Sequence, residues 1–378
     1  MGRYCICDIP HLKNNEIYDD IIFTTNGEWI DYEYEDSDQW VDIMKIATEK
    51  KGLLLQASAG NGKTYTVKNI VSKLRENGEG VKILAPTNKA ALNIGGSTIH
   101  SFLKLSNGTM NKKYIDTIKK AYKYIIIDEI SMITKELWAI LTVLKKETDI
   151  IFILLGDEKQ CPPVEDENIN DYFNHSTVKN LCNNNRNILI VRKRYDETLY
   201  NLLKDVNNIK TNEFKPLETQ RNICYLNATR KRINNIWNDK LKNENDLFIS
   251  ADPDDKLTQD IYLYLEMPII AKKTRREGGE ILVANSETFN IGNIDENIIS
   301  LYTQRPDANG EKYLYIYECL IKDFNKYFLI NYCSTTHKAQ GETITENYTI
   351  YDWSFMCEKI KYTAMSRAKN CEQITFKL

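Results

Sequence analysis

The sequence predicts an α/β protein with two parallel-sheet domains and a small all-β insertion in the second. Three observations carry that expectation. Near-continuous apolar runs at Leu53–Leu55, Val81–Ala85, Tyr124–Ile127 and Ile150–Leu155 suit strands covered on both faces. Helical spacing between them gives the strand–helix alternation of a parallel sheet. From 255 to 325 the pattern changes to short strand-like runs broken by Gly-Gly, Asn-Ser and Asn-Gly turns.

The elements follow in chain order. Residues 1–37 form an acidic N-terminal extension, with Asp19, Asp20, Asp31, Glu33, Glu35 and Asp36, and Asp38 just beyond. This segment is a candidate arm for a protein partner. Ser37 is placed to cap a helix running from Gln39 and Trp40 to Ile46 and Ala47. A strand at 52–55, a helix over 63–76 ending near Asn77-Gly78, and strands at 81–85, 124–127 and 150–155 complete a first domain over 38–187. A short hairpin near 103–114 would turn at Asn107-Gly108. A second alternating block covers 188–254 and resumes over 326–378. The insertion between them, 255–325, contains strand-like runs at Ile269–Ala271, Ile281–Val283, Ile298–Tyr302 and Tyr313–Tyr317.

Composition narrows the class. At 378 residues the chain exceeds one simple core, and 42% hydrophobic with 27% charged residues is a globular balance. The apolar runs have strand length, far short of the roughly 20 residues of a membrane helix. The start, Met1-Gly2-Arg3-Tyr4-Cys5, has no apolar signal region. The expectation is an intracellular protein in a reducing compartment, cytoplasm or nucleus, with no membrane partner. Nine cysteines lie without a repeating pattern, so disulfides are not expected there. Cys5-x-Cys7 with His11 lacks the second ligand pair of a metal site. A net charge of −3 excludes a whole-chain basic field, but a nucleic-acid groove needs only local charge.

One segment carries phosphate chemistry. Ala57-Ser58-Ala59-Gly60-Asn61-Gly62-Lys63-Thr64 lies between a strand and a helix. Glycines there let backbone N–H groups turn inward around phosphate oxygens, and the helix N-terminus adds a favourable field. Lys63 supplies a charge for the β and γ phosphates, and the Thr64 hydroxyl can ligate Mg²⁺. Ala59, Gly60, Asn61, Gly62, Lys63, Thr64 and Tyr65 are the candidate ATP contacts. Ala57 stands where the usual pattern begins with glycine. The strand Tyr124–Ile127 runs into Asp128-Glu129. Asp128 can hold Mg²⁺ through its water shell, and Glu129 can orient and deprotonate the attacking water. Together the two segments point to ATP hydrolysis.

Six further segments carry a resemblance. Asp128-Glu129-Ile130-Ser131, Gly156-Asp157-Glu158-Lys159-Gln160-Cys161-Pro162-Pro163-Val164, Ala85 to Ala91, Ser97 to Ser101, Thr336-His337-Lys338-Ala339-Gln340-Gly341-Glu342-Thr343 and Tyr362 to Ala368 occur in family order over about 38–378. The chain resembles superfamily 1 helicases of the 5′→3′ branch, the Pif- and RecD-like group. The resemblance implies two RecA-like domains with an SH3-like insertion. It also implies an ATP-driven helicase that translocates 5′→3′ on single-stranded DNA and acts at single-/double-strand junctions, with RNA as the alternative, in a monomeric motor.

By the same resemblance, Arg367 is the candidate arginine finger. Arg194 is the candidate fourth-motif arginine, with Arg192 competing. Gln160 is the candidate γ-phosphate sensor and Gln39 the adenine-reading glutamine, while Gly341 and Glu342 are further nucleotide contacts. Strand contacts map to Pro86, Thr87, Asn88, His100, Pro162, Thr336 and His337. His100 or Phe102 could stack on a base, though Phe102 equally suits a core position. The hairpin corresponds to the family's strand-separating pin. Its shortness motivates an alternative, a translocase that strips proteins from a strand without strong unwinding. The run Lys272-Lys273-Thr274-Arg275-Arg276 can hold a phosphate backbone or serve as a solvated loop.

Overall fold

The structure, a computed structural model, describes residues 3–5, 27–104, 109–162, 172–278, 280–306 and 311–377. The chain divides into two compact units, 1–194 and 195–378, and each is described by itself.

The first unit is built on a seven-stranded sheet. Its spatial order is Ile30–Tyr32, Asn185–Leu189, Leu53–Ala57, Ile151–Gly156, Tyr124–Ile127, Val81–Ala85 and Ser97–Thr98, with every neighbouring pair parallel. The strands Leu53–Ala57, Tyr124–Ile127 and Ile151–Gly156 are buried at every position. Alternate side chains point to opposite faces, so continuous apolar runs feed two cores. Leu54, Ile125, Ile127, Phe152 and Leu154 face one core with Trp138 and Leu141 of the helix Lys135–Glu147. Leu53, Leu55, Ile126 and Ile153 face the other, with Val67, Ile70 and Leu74 of the helix Lys63–Glu76 and Ile43 of the helix Trp40–Glu49.

The expected boundaries change. The strand Asn185–Leu189 pairs with Leu53–Ala57, so a limit at 187 cuts through it. The acidic extension also enters the sheet, where Ile30–Tyr32 pairs in parallel with Asn185–Asn187. Asp31 accepts two hydrogen bonds from Arg186, from Nε at 2.6 Å and Nη2 at 2.9 Å. Asn187 is fully buried because its amide mimics a ladder: Nδ2 donates to Tyr34 O at 2.7 Å and Oδ1 accepts from Tyr34 N at 3.1 Å. The hairpin expectation also changes. Thr109–Asn111 is a strand, but it pairs antiparallel with Arg3–Cys5. The proposed turn at Asn107-Gly108 lies outside the described residues.

The second unit holds a four-stranded parallel sheet in the order Cys333–Thr335, Arg221–Cys224, Tyr348–Tyr351, Ile374–Lys377. Beside it is an antiparallel five-stranded sheet in the order Lys312–Leu320, Ile298–Pro306, Thr288–Ile294, Pro268–Ala271, Phe328–Ile330. The all-β region therefore runs beyond 325, and its first hairpin begins at Leu247–Ile249, paired with Ile261–Leu263. Its core gathers Ile269, Phe289, Ile291, Leu301, Phe324 and Phe328. A buried ion pair ties it together. Arg305 Nε donates to Glu287 Oε1 at 2.6 Å, Nη2 donates to Oε2 at 2.8 Å, and the guanidinium lies 3.5 Å from the Tyr315 ring centre. Two parallel-sheet blocks and an all-β insertion are the fold class expected from the sequence.

Candidate nucleotide and strand site

The P-loop joins the buried strand Leu53–Ala57 to the helix Lys63–Glu76. Gly60 and Gly62 adopt φ of 84° and 89°, a region that side chains disfavour. A Cβ at Gly62 would also meet Ser37 at 2.5 Å. Lys63 Nζ donates to Ala57 O at 2.5 Å, which places the ammonium inside the loop's turn. Asn61 is buried and its Nδ2 donates to Leu189 O at 3.0 Å, so its amide anchors the loop to the sheet. Thr64 and Tyr65 lie exposed on the first helical turn.

Asp128 and Glu129 follow the strand Tyr124–Ile127, which is separated from the P-loop strand by Ile151–Gly156. Desolvation pushes the Asp128 carboxyl above the usual carboxylate range, while the Lys63 charge pulls it down. Glu129 N donates to Asp128 Oδ1 at 2.8 Å. Glu129 has φ 53° and ψ 46°, a left-handed conformation that turns the chain sharply off the strand. An ammonium, a hydroxyl and a carboxylate that feels the ammonium fit the demands of a Mg²⁺–triphosphate site. Thr64 and Asp128 are the candidate metal ligands in that set.

Asp157 is the residue whose role sequence reasoning missed. It is 1% exposed, and its carboxylate joins two motifs. Oδ2 accepts from Ala59 N of the P-loop at 2.7 Å and from Gln160 Nε2 at 3.4 Å, while Oδ1 accepts from Lys159 N at 3.1 Å. Gln160 is itself buried. The motif pattern contained this aspartate, but only the fold brings Ala59 to it. Lys193 was missed as well. Its N–H donates to Gly60 O at 3.1 Å, and its Nζ pairs with Asp36 at 2.7 Å and Asp38 at 2.9 Å. Arg192 and Arg194 beside it are exposed.

Several assigned residues are engaged differently from expectation. Asp36, and not Ser37, is the cap: Asp36 Oδ1 accepts from Asp38 N at 2.9 Å, and Gln39 Oε1 accepts from Asp36 N at 3.0 Å. Gln39 thus closes a capping box, and Ser37 packs buried against Gly62. Phe102 is 6% exposed in the core, edge-on to Tyr122 at 5.7 Å, so it offers no open face to a base. Thr87 Oγ1 accepts from Ala90 N at 3.2 Å and caps the helix Asn88–Asn93. Pro86, Asn88 and Pro162 are half-buried, and His100 is exposed on the short helix Ile99–Leu103.

The second unit gathers its own set. Thr336 is fully buried and its hydroxyl donates to Cys224 O at 3.2 Å, which turns it away from any strand. His337 is half-buried. Gly341 has φ 78°, and the Glu342 carboxylate takes Arg221 Nη2 at 2.9 and 3.1 Å. The Glu342 carbonyl accepts from Arg367 Nη1 at 3.1 Å. Arg367 is 2% exposed, donating also to Thr363 O at 2.9 Å and Ser366 Oγ at 2.8 Å. The guanidinium is held by its own helix and the adjoining turn.

Comparison with known proteins agrees with this geometry. The family described as "AAA domain" matches residues 41–166. The chain is 30% identical over 183 residues to "ATP-dependent DNA helicase PIF1" of Danio rerio, covering 43% of this chain and 28% of that protein. It spans only 24% of the corresponding Candida albicans protein, so the chain covers about a quarter of these two relatives. It is 25% identical to "ATP-dependent DNA helicase Pif1" of Campylobacter jejuni over 84% of this chain and 87% of that one. Among solved structures, "Crystal structure of Bacteroides Pif1 bound to ssDNA" shares the fold. Its TM-score is 0.65 at 20% identity, over 90% of this chain and 92% of that chain. The chain is thus similar in sequence to Pif1 helicases, and it shares the fold of a solved Pif1.

Proposed function

We propose that this chain is an ATP-driven motor that moves 5′→3′ along single-stranded DNA and opens duplexes at single-/double-strand junctions, as a monomer. The observation that carries the proposal is the Asp157 bridge. One carboxylate accepts from the P-loop at Ala59 and from Gln160. A change at the γ-phosphate position is thereby passed to the loop that leads to Pro162, a candidate strand contact. In this reading Lys63 neutralises phosphate charge, and Glu129 orients the attacking water and takes its proton. Thr64 and Asp128 would hold Mg²⁺, which would supply positive charge to offset that of the triphosphate. Arg367 serves as the arginine finger and Arg194 as a second phosphate-facing cation. Pro86, Thr87, Asn88, His100, Pro162 and His337 line the strand path, with contacts that carry no sequence information.

Among the described residues no helix is long and apolar enough to cross a membrane. Cys161, Cys182, Cys224, Cys319, Cys333, Cys357 and Cys371 are free thiols. The acidic N-terminal extension, residues 1–37, remains the candidate for a protein partner.

The test is unwinding of duplexes with 5′ or 3′ tails of DNA or RNA, beside strand-stimulated ATPase. Lys63→Ala should abolish turnover. Glu129→Gln should lower it roughly 10²- to 10⁴-fold while ATP still binds. Full ATPase in Lys63→Ala would overturn the site, and unwinding from a 3′ tail alone would overturn the polarity. A second reading has its own observation. The strand Thr109–Asn111 at the pin position pairs with Arg3–Cys5. A protein-stripping translocase would displace streptavidin from a biotinylated strand and leave the tailed duplexes closed.

A further inference from the structure

The second unit carries a cavity of about 680 Å³ between the amino-terminal ends of its parallel strands and the all-β region. That volume is typical of a built ligand site. Four carboxylates line it, from Glu218, Glu266, Glu342 and Glu346, against the single guanidinium of Arg221. Arg221 is already paired with Glu342, and Lys240 with Glu218. Among the described residues no ion pair engages Glu266 or Glu346, so the mouth stays negative. A nucleic-acid backbone would be repelled there, and a cation would be drawn in.

The cavity is continuous with an apolar sheet face. Leu314 lines it, and Leu314, Ile316 and Leu320 are 61%, 60% and 42% exposed on one side of the strand Lys312–Leu320. Tyr302 lies opposite Ile316 in the register and donates its hydroxyl to Glu266 at 2.5 Å, joining face to cavity. That strand is nine residues long and stands at the end of its sheet. Sheet edges of this length are usually guarded by charge, proline or a covering element. Here the outward row exposes Leu314, Ile316 and Leu320 beside only two charged residues, Lys312 and Glu318.

We propose that this corner binds an extended basic segment of another protein. The segment adds as a strand along Lys312–Leu320, lays alternate apolar side chains on Leu314, Ile316 and Leu320, and seats an arginine or lysine in the acidic cavity. Main-chain bonds give affinity, and the cavity gives selectivity for the cation. The proposal is independent of the motor chemistry.

The test uses the full chain and two fluorescein-labelled peptides, Arg-Arg-(Val-Thr)₄ and Glu-Glu-(Val-Thr)₄, read by fluorescence anisotropy. The arginine peptide should bind at least tenfold more tightly than the glutamate peptide. Ile316→Asp, and separately the double variant Glu266→Gln with Glu346→Gln, should each weaken it at least tenfold, with strand-stimulated ATPase unchanged. Equal binding of the two peptides, no binding of either, or wild-type affinity in both variants would overturn the proposal. So would loss of dT₁₅ binding in Ile316→Asp, which would make the face a nucleic-acid surface. Loss of a self-associated species in the same variant without peptide binding would assign the face to a second copy.

Discussion

Removing the Asp157 carboxylate should loosen the P-loop without touching a phosphate contact. Ala59 N–H lies 2.7 Å from Oδ2, a short charge-assisted bond inside a buried site. Such a bond contributes about 1.5–3 kcal/mol. If that energy holds the loop in its nucleotide-ready shape, its loss appears as weaker nucleotide affinity, roughly ten- to a hundredfold. Asp157→Ala removes the acceptor altogether and also strips Lys159 N of its bond at 3.1 Å. Asp157→Asn keeps a neutral carbonyl oxygen in nearly the same place, so its penalty should be about half in free energy, roughly three- to tenfold. The assay is equilibrium titration with a fluorescent ATP analogue, with circular dichroism to establish that each variant is folded. Strand-stimulated ATPase measured beside it should fall further than binding does, because Gln160 loses its tether as well. A folded Asp157→Ala that binds the analogue within twofold of wild type would refute the reasoning.

Other outcomes follow from the same structure. Phe102→Ala should lower the thermal midpoint through a core cavity, a cost of about 3–5 kcal/mol, and leave single-strand affinity within twofold in the folded fraction; calorimetry and anisotropy measure the two. Glu287→Ala leaves the Arg305 guanidinium buried without its carboxylate partner, at a cost of about 3–5 kcal/mol, and hydrogen exchange should localise the loss to the all-β region. Arg186 holds the Asp31 carboxyl below its ordinary value, chiefly by hydrogen bonding. A carboxylate with a lowered native pKa stabilises the fold above the unfolded value near 3.9 and loses that contribution as pH falls through the native one. Asp31→Asn should therefore raise the exchange rate of the Tyr32 amide at pH 7, by less than 1 kcal/mol in this exposed pair, and have no effect once the pH lies below the native titration.

What could be read in advance depended on how each residue earns its place. Leu53–Ala57, Tyr124–Ile127 and Ile151–Gly156 announce themselves because burial on both faces demands uninterrupted apolar chemistry. Asn185–Leu189 is hidden, since its asparagines read as loop residues until the Tyr34 backbone supplies partners for Asn187. Ile30–Tyr32 is hidden for the opposite reason, being short, exposed and set among acids. Motif matching located the phosphate loop and its carboxylates, because glycine, lysine and aspartate are required there by chemistry. It could not say which way a side chain turns. Thr336 and Phe102 sit in the right segments and point inward. The tie from Asp157 to Ala59 spans 98 positions and exists only once the strands are side by side.

The parallel pairing of Ile30–Tyr32 has a practical consequence for anyone trimming the protein. A recombinant fragment begun at residue 38 would look like a tidy catalytic block and would carry every P-loop residue. It would also bare the flank of Asn185–Leu189, deprive Arg186 of its acid and remove Asp36 from both the helix cap and Lys193. Clumping during purification and a frayed phosphate loop would then be artefacts of truncation, whereas a fragment begun at residue 27 keeps the flank sealed.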